Sequence, residues 1–300
     1  VRQENRGHVG EKRRAQEEEE EEEENEERPH DLSDLEFTVD RHHHAIEQSL
    51  AYLAERVLPL CNCYVRVNRF VSERSQYEFG KVAHALSAGM RRLLREYLVL
   101  IAQLENQLLQ GKLSLQRLWF YVQPSLRTME TLEALTVELR DVRGGELLQR
   151  LKTMAGAGGD EASRNLHTFL LHQASVPYLE MLETWIYHGN LNDQYEEFMV
   201  AQTEVKKKDV DMDFNTRYWE DRYQLQASNV ISSLQGRQKI VLTTGKYLNV
   251  VRESGRGVDC PLAGPIPADP GPAGEGLYAR TIDGAYSFAS RCLMDLVVRE

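Results

Sequence analysis

Between residues 80 and 109 the side chains of Val82, Leu86, Leu93, Tyr97, Leu98, Ile101, Leu104 and Leu108 recur at helical spacing, until Gly111 ends the run. Residues spaced three and four apart share one face of an α-helix, so this stretch predicts a long helix with an apolar stripe. Such a helix gains little stability alone in water and has to be covered by others. The stripe therefore commits the chain to helices packed on helices.

The same period recurs on both sides. Ile46, Leu50, Leu53 and Val57 predict a helix that Pro59 closes, and Tyr64, Val67 and Val71 a second, short one. Ser114 is placed to cap a helix carrying Leu118, Val122, Leu126, Met129, Leu132, Leu135 and Leu139, with a kink or broken join expected at Pro124. Gly144–Gly145 and the stretch from Gly156 to Glu161 read as loops around a short helix at 146–154. Leu166, Phe169 and Leu170 begin another helix. Pro177 then leads a separate one through Tyr178, Leu179, Leu182, Trp185 and Ile186, which Gly189 stops. Residues 191–225 are aromatic and aperiodic, consistent with short strands or an extended arm. A last helix is expected from Val230 to Val251, although Gly236 and Gly245 weaken it. The predicted fold class is all-α: an elongated array of about eight helices in bundles. The predicted core includes Leu86, Leu93, Leu98, Ile101, Leu118, Trp119, Leu126, Leu182, Trp185 and Ile186.

Charge divides the chain. Glu17 to Glu27 holds ten glutamates in eleven positions, and removing them from the net −11 leaves the body at −1. A block of like charge repels itself and buries nothing, so residues 1–35 read as a disordered acidic tail. The domain expected to follow spans 36–254, then a loop at 255–276 rich in proline and glycine, then a further segment at 277–300. No Lys/Arg cluster stands out beyond Lys206 to Lys208, too little for a nucleic-acid surface. No segment approaches 18 consecutive apolar residues, so no membrane span is expected. Four cysteines, Cys61, Cys63, Cys260 and Cys292, are too few for a disulfide framework in 300 residues and fit a reducing cytosolic compartment. The chain opens without an initiator Met or an apolar signal core and ends within an apolar-periodic run, so it reads as part of a longer protein.

The catalytic inventory is sparse. His42, His43 and His44 are adjacent and point about 100° apart on a helix, so they do not converge on one metal ion. Cys61-Asn62-Cys63 has no second Cys/His pair nearby. Gly245-Lys246 lacks the glycine five residues upstream and the Ser or Thr after the Lys that a phosphate loop needs, since Ile240 and Tyr247 stand there. No enzyme, cofactor or metal site is expected. The aromatic groups around Trp119, Trp185 and Trp219 suit core packing first and a partner surface second.

Several segments are less anonymous: RFVSERSQYEFGKVAHAL (69–86), LSLQRLWFYVQPSLRTM (113–129), VPYLEMLETWIYHGNLNDQYEEFMV (176–200), YWEDRY (218–223), TTGKYLNVVRE (243–253) and the weaker AYSFASRCLMDLV (285–297). In this order they resemble the gamma-tubulin complex components, nearest to the component 2 branch of that family. The resemblance implies an elongated helical protein of two halves. The N-terminal half, with the first GRIP motif, packs beside neighbouring components, and the C-terminal half binds gamma-tubulin. It implies a non-catalytic structural part in templating microtubule minus ends, in the cytoplasm at centrosomes and spindle poles. The partners it implies are component 3 and other components laterally, with gamma-tubulin reached through a C-terminal half that this chain lacks. It also makes 277–300 the start of the junction to that half. The Pro/Gly-rich 261–276 departs from the family pattern. The helix pattern alone equally permits a scaffold or tether subunit of another cytosolic complex. Tyr187, Asn192, Tyr195 and Phe198 follow a helix end and escape its periodicity, which makes them the candidate partner contacts.

Deleting residues 1–30 is expected to leave the melting temperature almost unchanged, because that segment has few apolar side chains to bury. A drop of several degrees in a thermal melt would show instead that the tail packs on the body.

Overall fold

A computed structural model describes residues 36–39, 47–157, 159–203, 214–258, 260–268 and 274–299. The acidic run, Ile46, His42 to His44, Lys206 to Lys208, Pro270 and Pro272 lie outside the described residues. Eight α-helices make up most of what is described: α1 (Gln48–Arg74), α2 (Gly80–Leu109), α3 (Leu115–Glu138), α4 (Gly144–Ala157), α5 (Glu161–His188), α6 (Phe214–Arg222), α7 (Gln238–Glu253) and α8 (Gly274–Arg299). Strands β1 (Val200–Gln202) and β2 (Tyr223–Leu225) form an antiparallel pair, with Val200 opposite Leu225.

The predicted breaks at two prolines do not occur. Pro59 lies inside α1 and Pro177 inside α5, and the predicted kink site Pro124 is likewise interior to α3. An interior proline costs roughly 3 kcal/mol through one lost hydrogen bond and a ring clash. Beyond Pro177, however, Tyr178, Leu179, Leu182, Trp185 and Ile186 are all buried, at about 1.5–3 kcal/mol each for a large apolar side chain. Burial of the continued helix outweighs the break. In α1 and α3 the prolines also sit on the exposed face.

Helices α1 and α3 run parallel: Arg56 lies over the Trp119 ring, Cys63 and Arg66 bond Glu133, and Arg74 donates to the Leu139 carbonyl. Ser114 caps α3 as expected, its side chain accepting the Arg117 N–H at 3.3 Å. Against the other side of α2 runs α5, antiparallel, with Gly89 set against Leu170 and Gln173, and Arg92 over Phe169. Helix α5 also packs on α4 and α7, and α7 on α8, so one apolar core passes from helix to helix.

The core is largely the expected one: Leu86, Leu182, Trp185 and Ile186 are fully enclosed, and Leu93, Ile101, Leu118, Trp119 and Leu126 pack partly against it. Leu98 is a correction, being 46% exposed. It lies twelve positions past Leu86, which at 3.6 residues per turn is about 120° round the helix. The buried line instead follows Val82, Ala83, Leu86, Met90, Leu94 and Leu104. The last predicted helix also begins later than expected, at Gln238. Residues 230–237 form short turns ending on Gly236, whose φ of +83° breaks a helix.

Leu86→Ala should cost on the order of 2–5 kcal/mol by leaving a cavity, whereas Leu98→Ala should cost under ~1 kcal/mol. Chemical denaturation of the two variants checks the phase of α2; equal losses would refute it.

Candidate partner-contact segment

The candidate contact residues fall at the end of α5 and on the chain that follows it. Gly189 ends the helix in the left-handed region, φ +65°, its N–H bonded to the Trp185 carbonyl at 3.0 Å. The next helix that matters here, α7, lies against this turn. Asn249 donates to the Gly189 carbonyl at 2.6 Å and to the Gly245 carbonyl at 2.8 Å. Trp185 lies flat on Gly245, where a Cβ would fall 2.0 Å from its ring, and its Nε1 donates to the Val241 carbonyl at 2.9 Å. The glycine that weakens α7 as a sequence is thus what lets Trp185 dock.

Residues 193–200 are then held from inside. The Asp193 carboxylate accepts the N–H groups of Tyr195 and Phe198, at 3.3 and 2.7 Å, and Glu196 takes a positive φ of +55°. The Glu197 side chain runs inward, 1% exposed, and accepts the Lys81 N–H at 2.6 Å and the Val82 N–H at 3.0 Å in the first turn of α2. Its backbone carbonyl accepts the Gly145 N–H at 3.1 Å. Gly80 (φ +89°) and Gly144 leave room that a Cβ would close, to 2.4 Å from the carboxyl carbon and 2.6 Å from the Glu197 Cα. Asn229 completes the frame. It donates to the Glu196 carbonyl at 2.8 Å, and its own carbonyl accepts the buried Tyr178 hydroxyl at 2.7 Å. A Cβ on Gly145 would stand 2.1 Å from that same carbonyl. Gly144 and Gly145, read from sequence as loop, are therefore buried first residues of α4.

This frame separates the four candidates. Tyr187 is 4% exposed and Phe198 fully buried, the latter with its ring 5.3 Å from that of Tyr178. Both hold the segment from the inside and present no surface to a partner. Asn192 is exposed, and Tyr195 is half-buried on the wall of a groove of about 580 Å³ between α2 and α5. Tyr77 and Lys81 line the same groove on one side, and Val176, Pro177 and Glu180 on the other. Tyr77 is 86% exposed. Sequence reasoning missed Glu197, Gly80, Gly145 and Asn229; the signal it had was the placing of glycines inside or beside helical runs.

Electrostatics point away from nucleophilic chemistry. The Cys63 thiol is pushed up to about 12 by burial and by its hydrogen bond to Glu133 at 2.8 Å, so it stays protonated. Burial pushes the Glu197 carboxyl up to about 7, against the two backbone N–H groups that favour its ionised form. Among the described residues, no helix is long and apolar enough to cross a membrane.

The family described as Gamma tubulin complex component N-terminal matches residues 19–300, and the chain belongs to the gamma-tubulin complex component family. Gamma-tubulin complex component 2 of Mus musculus is 42% identical over 258 residues, which cover 85% of this chain and 28% of that protein. Gamma-tubulin complex component 3 of Homo sapiens is 32% identical over 69% of this chain and 24% of its own length. Spindle pole body component alp4 of Schizosaccharomyces pombe is 30% identical, over 69% and 32%. The chain spans a third or less of the curated relatives it matches.

Gly145→Ala and Gly245→Ala should each cost on the order of 1–3 kcal/mol or more, since a Cβ meets backbone in one case and a buried indole in the other. The same change at Gly156, where nothing lies within 4 Å, should be neutral or slightly stabilising. Thermal melts of the three variants make the comparison.

Proposed function

We propose that this chain is the lateral-assembly part of a non-catalytic structural component of a gamma-tubulin complex, in which neighbouring components template microtubule nucleation at minus ends. The observation that carries the reading is the family match over residues 19–300, together with 42% identity to a component 2. The names of the relatives, which include a component 3 and a spindle pole body component, support component 3 as a lateral neighbour and the microtubule-organising centre as the location. Gamma-tubulin is reached through a further, C-terminal half of the full-length protein, and 277–300 begins the junction to it. Residues 36–254 form the lateral domain.

Surface chemistry supports this reading. Tyr77 is 86% exposed beside the groove between α2 and α5, the kind of large aromatic that interfaces favour. Tyr195 lines the same groove as Tyr77, and Asn192 is exposed on the same segment.

The test is capture with purified partners. The isolated chain should retain the N-terminal half of component 3 and hold gamma-tubulin weakly or not at all, while the full-length protein retains both. Strong gamma-tubulin capture by the isolated chain without component 3 would reverse the assignment. Recovery of membrane-tether subunits alone with the full-length protein would replace it with a scaffold of another cytosolic complex.

A further inference from the structure

We propose that the surface of α5 and α8 beneath Ile266 is a peptide-binding site that the chain fills with its own residues 260–268, and that an extended partner segment with one aliphatic residue between prolines displaces them. The covering segment belongs to the Pro/Gly-rich connection between α7 and α8. After a turn closed by the Ala263 N–H on the Cys260 carbonyl at 3.2 Å, residues 263–267 run on without helix or strand. Ile266 stands between Pro265 and Pro267 and is 7% exposed, whereas both prolines and residues 261–264 are exposed. Within 261–267, one aliphatic side chain is inserted from a ridge that otherwise faces water.

The surface underneath meets this segment group by group. Glu183 and Tyr187 lie one turn apart on α5 and so share a face. The Glu183 carboxylate accepts the Ile266 N–H, and the backbone of Gly264 meets the Tyr187 hydroxyl, so the segment runs along α5 in the opposite direction. On α8, the Tyr278 hydroxyl donates to the Pro267 carbonyl at 2.7 Å. Leu262 rests on Gly284 of α8, where an added Cβ would stand 3.2 Å from its side chain. Tyr278, Ile282 and Ala285 of α8 are buried in the same apolar core that Ile266 joins. Tyr187, placed by its helix end to meet a partner, is hidden beneath this cover.

The bound segment shows both what the site recognises and why it can be exchanged. Pro265 and Pro267 have no N–H and keep the chain extended around Ile266, so little freedom is lost on docking and few backbone bonds tie the segment down. Recognition reduces to an aliphatic side chain, an N–H for Glu183 and a carbonyl for Tyr278, which any segment of this pattern supplies.

Ile266→Ser in the full chain vacates the site and leaves the connection intact. A fluorescent peptide of residues 261–268 should bind this variant saturably in an anisotropy titration. It should bind the unmodified chain at least about tenfold more weakly, because apparent affinity falls with the fraction of sites open. The same peptide carrying Ile266→Ser should bind neither chain. Thiol labelling read by mass spectrometry reports the opening itself. Cys260, 7% exposed at the buried start of the segment, should label at least about tenfold faster in the variant, with Cys63 between α1 and α3 still protected. Equal binding by both chains, binding that ignores the isoleucine, no binding by a variant whose Cys260 has opened, or unchanged labelling of Cys260 would each overturn the proposal. Should Cys63 become reactive as well, the variant has lost its fold, and a chain with Glu183→Ala and Tyr278→Phe, which keeps Ile266, decides. Faster labelling of Cys260 and a gain in peptide binding there support the site, and their absence overturns it. Only this chain and a synthetic peptide enter these measurements, so their failure leaves the lateral-assembly reading untouched.

Discussion

Helix α5 is enclosed on several sides at once, and the rest of the molecule is arranged to make that possible. It carries buried residues from His167 through Leu170, Ala174, Tyr178, Met181, Leu182, Trp185 and Tyr187, facing α2, α4 and α7 in turn. A helix with so wide an apolar surface keeps only a narrow solvent face, as at Thr168, Val176 and Glu180, and belongs at the centre of a protein. Its neighbours come close enough to cover it where they lack side chains. Gly89 lets α2 approach Leu170 and Gln173, and Gly245 takes the flat of the Trp185 indole. Close packing at these points is what makes Pro177 tolerable in the middle of α5, since interior contacts on both sides hold the helix against the local break.

Around that helix, polar groups are buried only where they are bonded. Tyr178 and Trp185 each place their one polar atom on a backbone carbonyl, and Asn229 and Asn249 pin loop carbonyls to the helices beside them. A buried donor left unpaired costs about 1–3 kcal/mol, so these bonds specify a single arrangement more than they add stability. Arg74, Ser87, His167, Ser232 and Gln238 are exceptions. One guanidinium nitrogen of Arg74 and both ring nitrogens of His167 have no partner. For Arg74, the faces of Phe70 and Phe79 offset part of that cost through cation–π contact.

The family relationship and the structure bear on different questions. Identity over most of the chain to a component 2 says to which family the chain belongs. The structure says which residues are free to meet a neighbour. Tyr187 and Phe198, aromatic residues of the sort that dominate interfaces, are spent on the core, whereas Tyr77, Asn192 and Tyr195 remain on the surface. The segment that carries Tyr195 is tied to the scaffold through Glu197.

Much of the helical architecture is written in the local pattern: the 3.6-residue period along α2, the Ser114 cap of α3 and the left-handed stop at Gly189. These follow from interactions within a few residues, so sequence alone determines them. Tertiary structure decided what depends on distant partners. Pro59 and Pro177 read as breaks because their cost is local while the burial that outweighs it comes from other helices. Leu98 reads as core because periodicity gives a stripe its width but only a packed neighbour fixes its edge. Gly145 and Gly245 read as weak points because the groups that need their missing Cβ, the Asn229 carbonyl and the Trp185 ring, lie 84 and 60 residues away in the chain. The inward turn of Glu197 was invisible for the same reason: a glutamate in an irregular stretch reads as solvated, until folding brings it to the start of α2, 116 residues from Lys81.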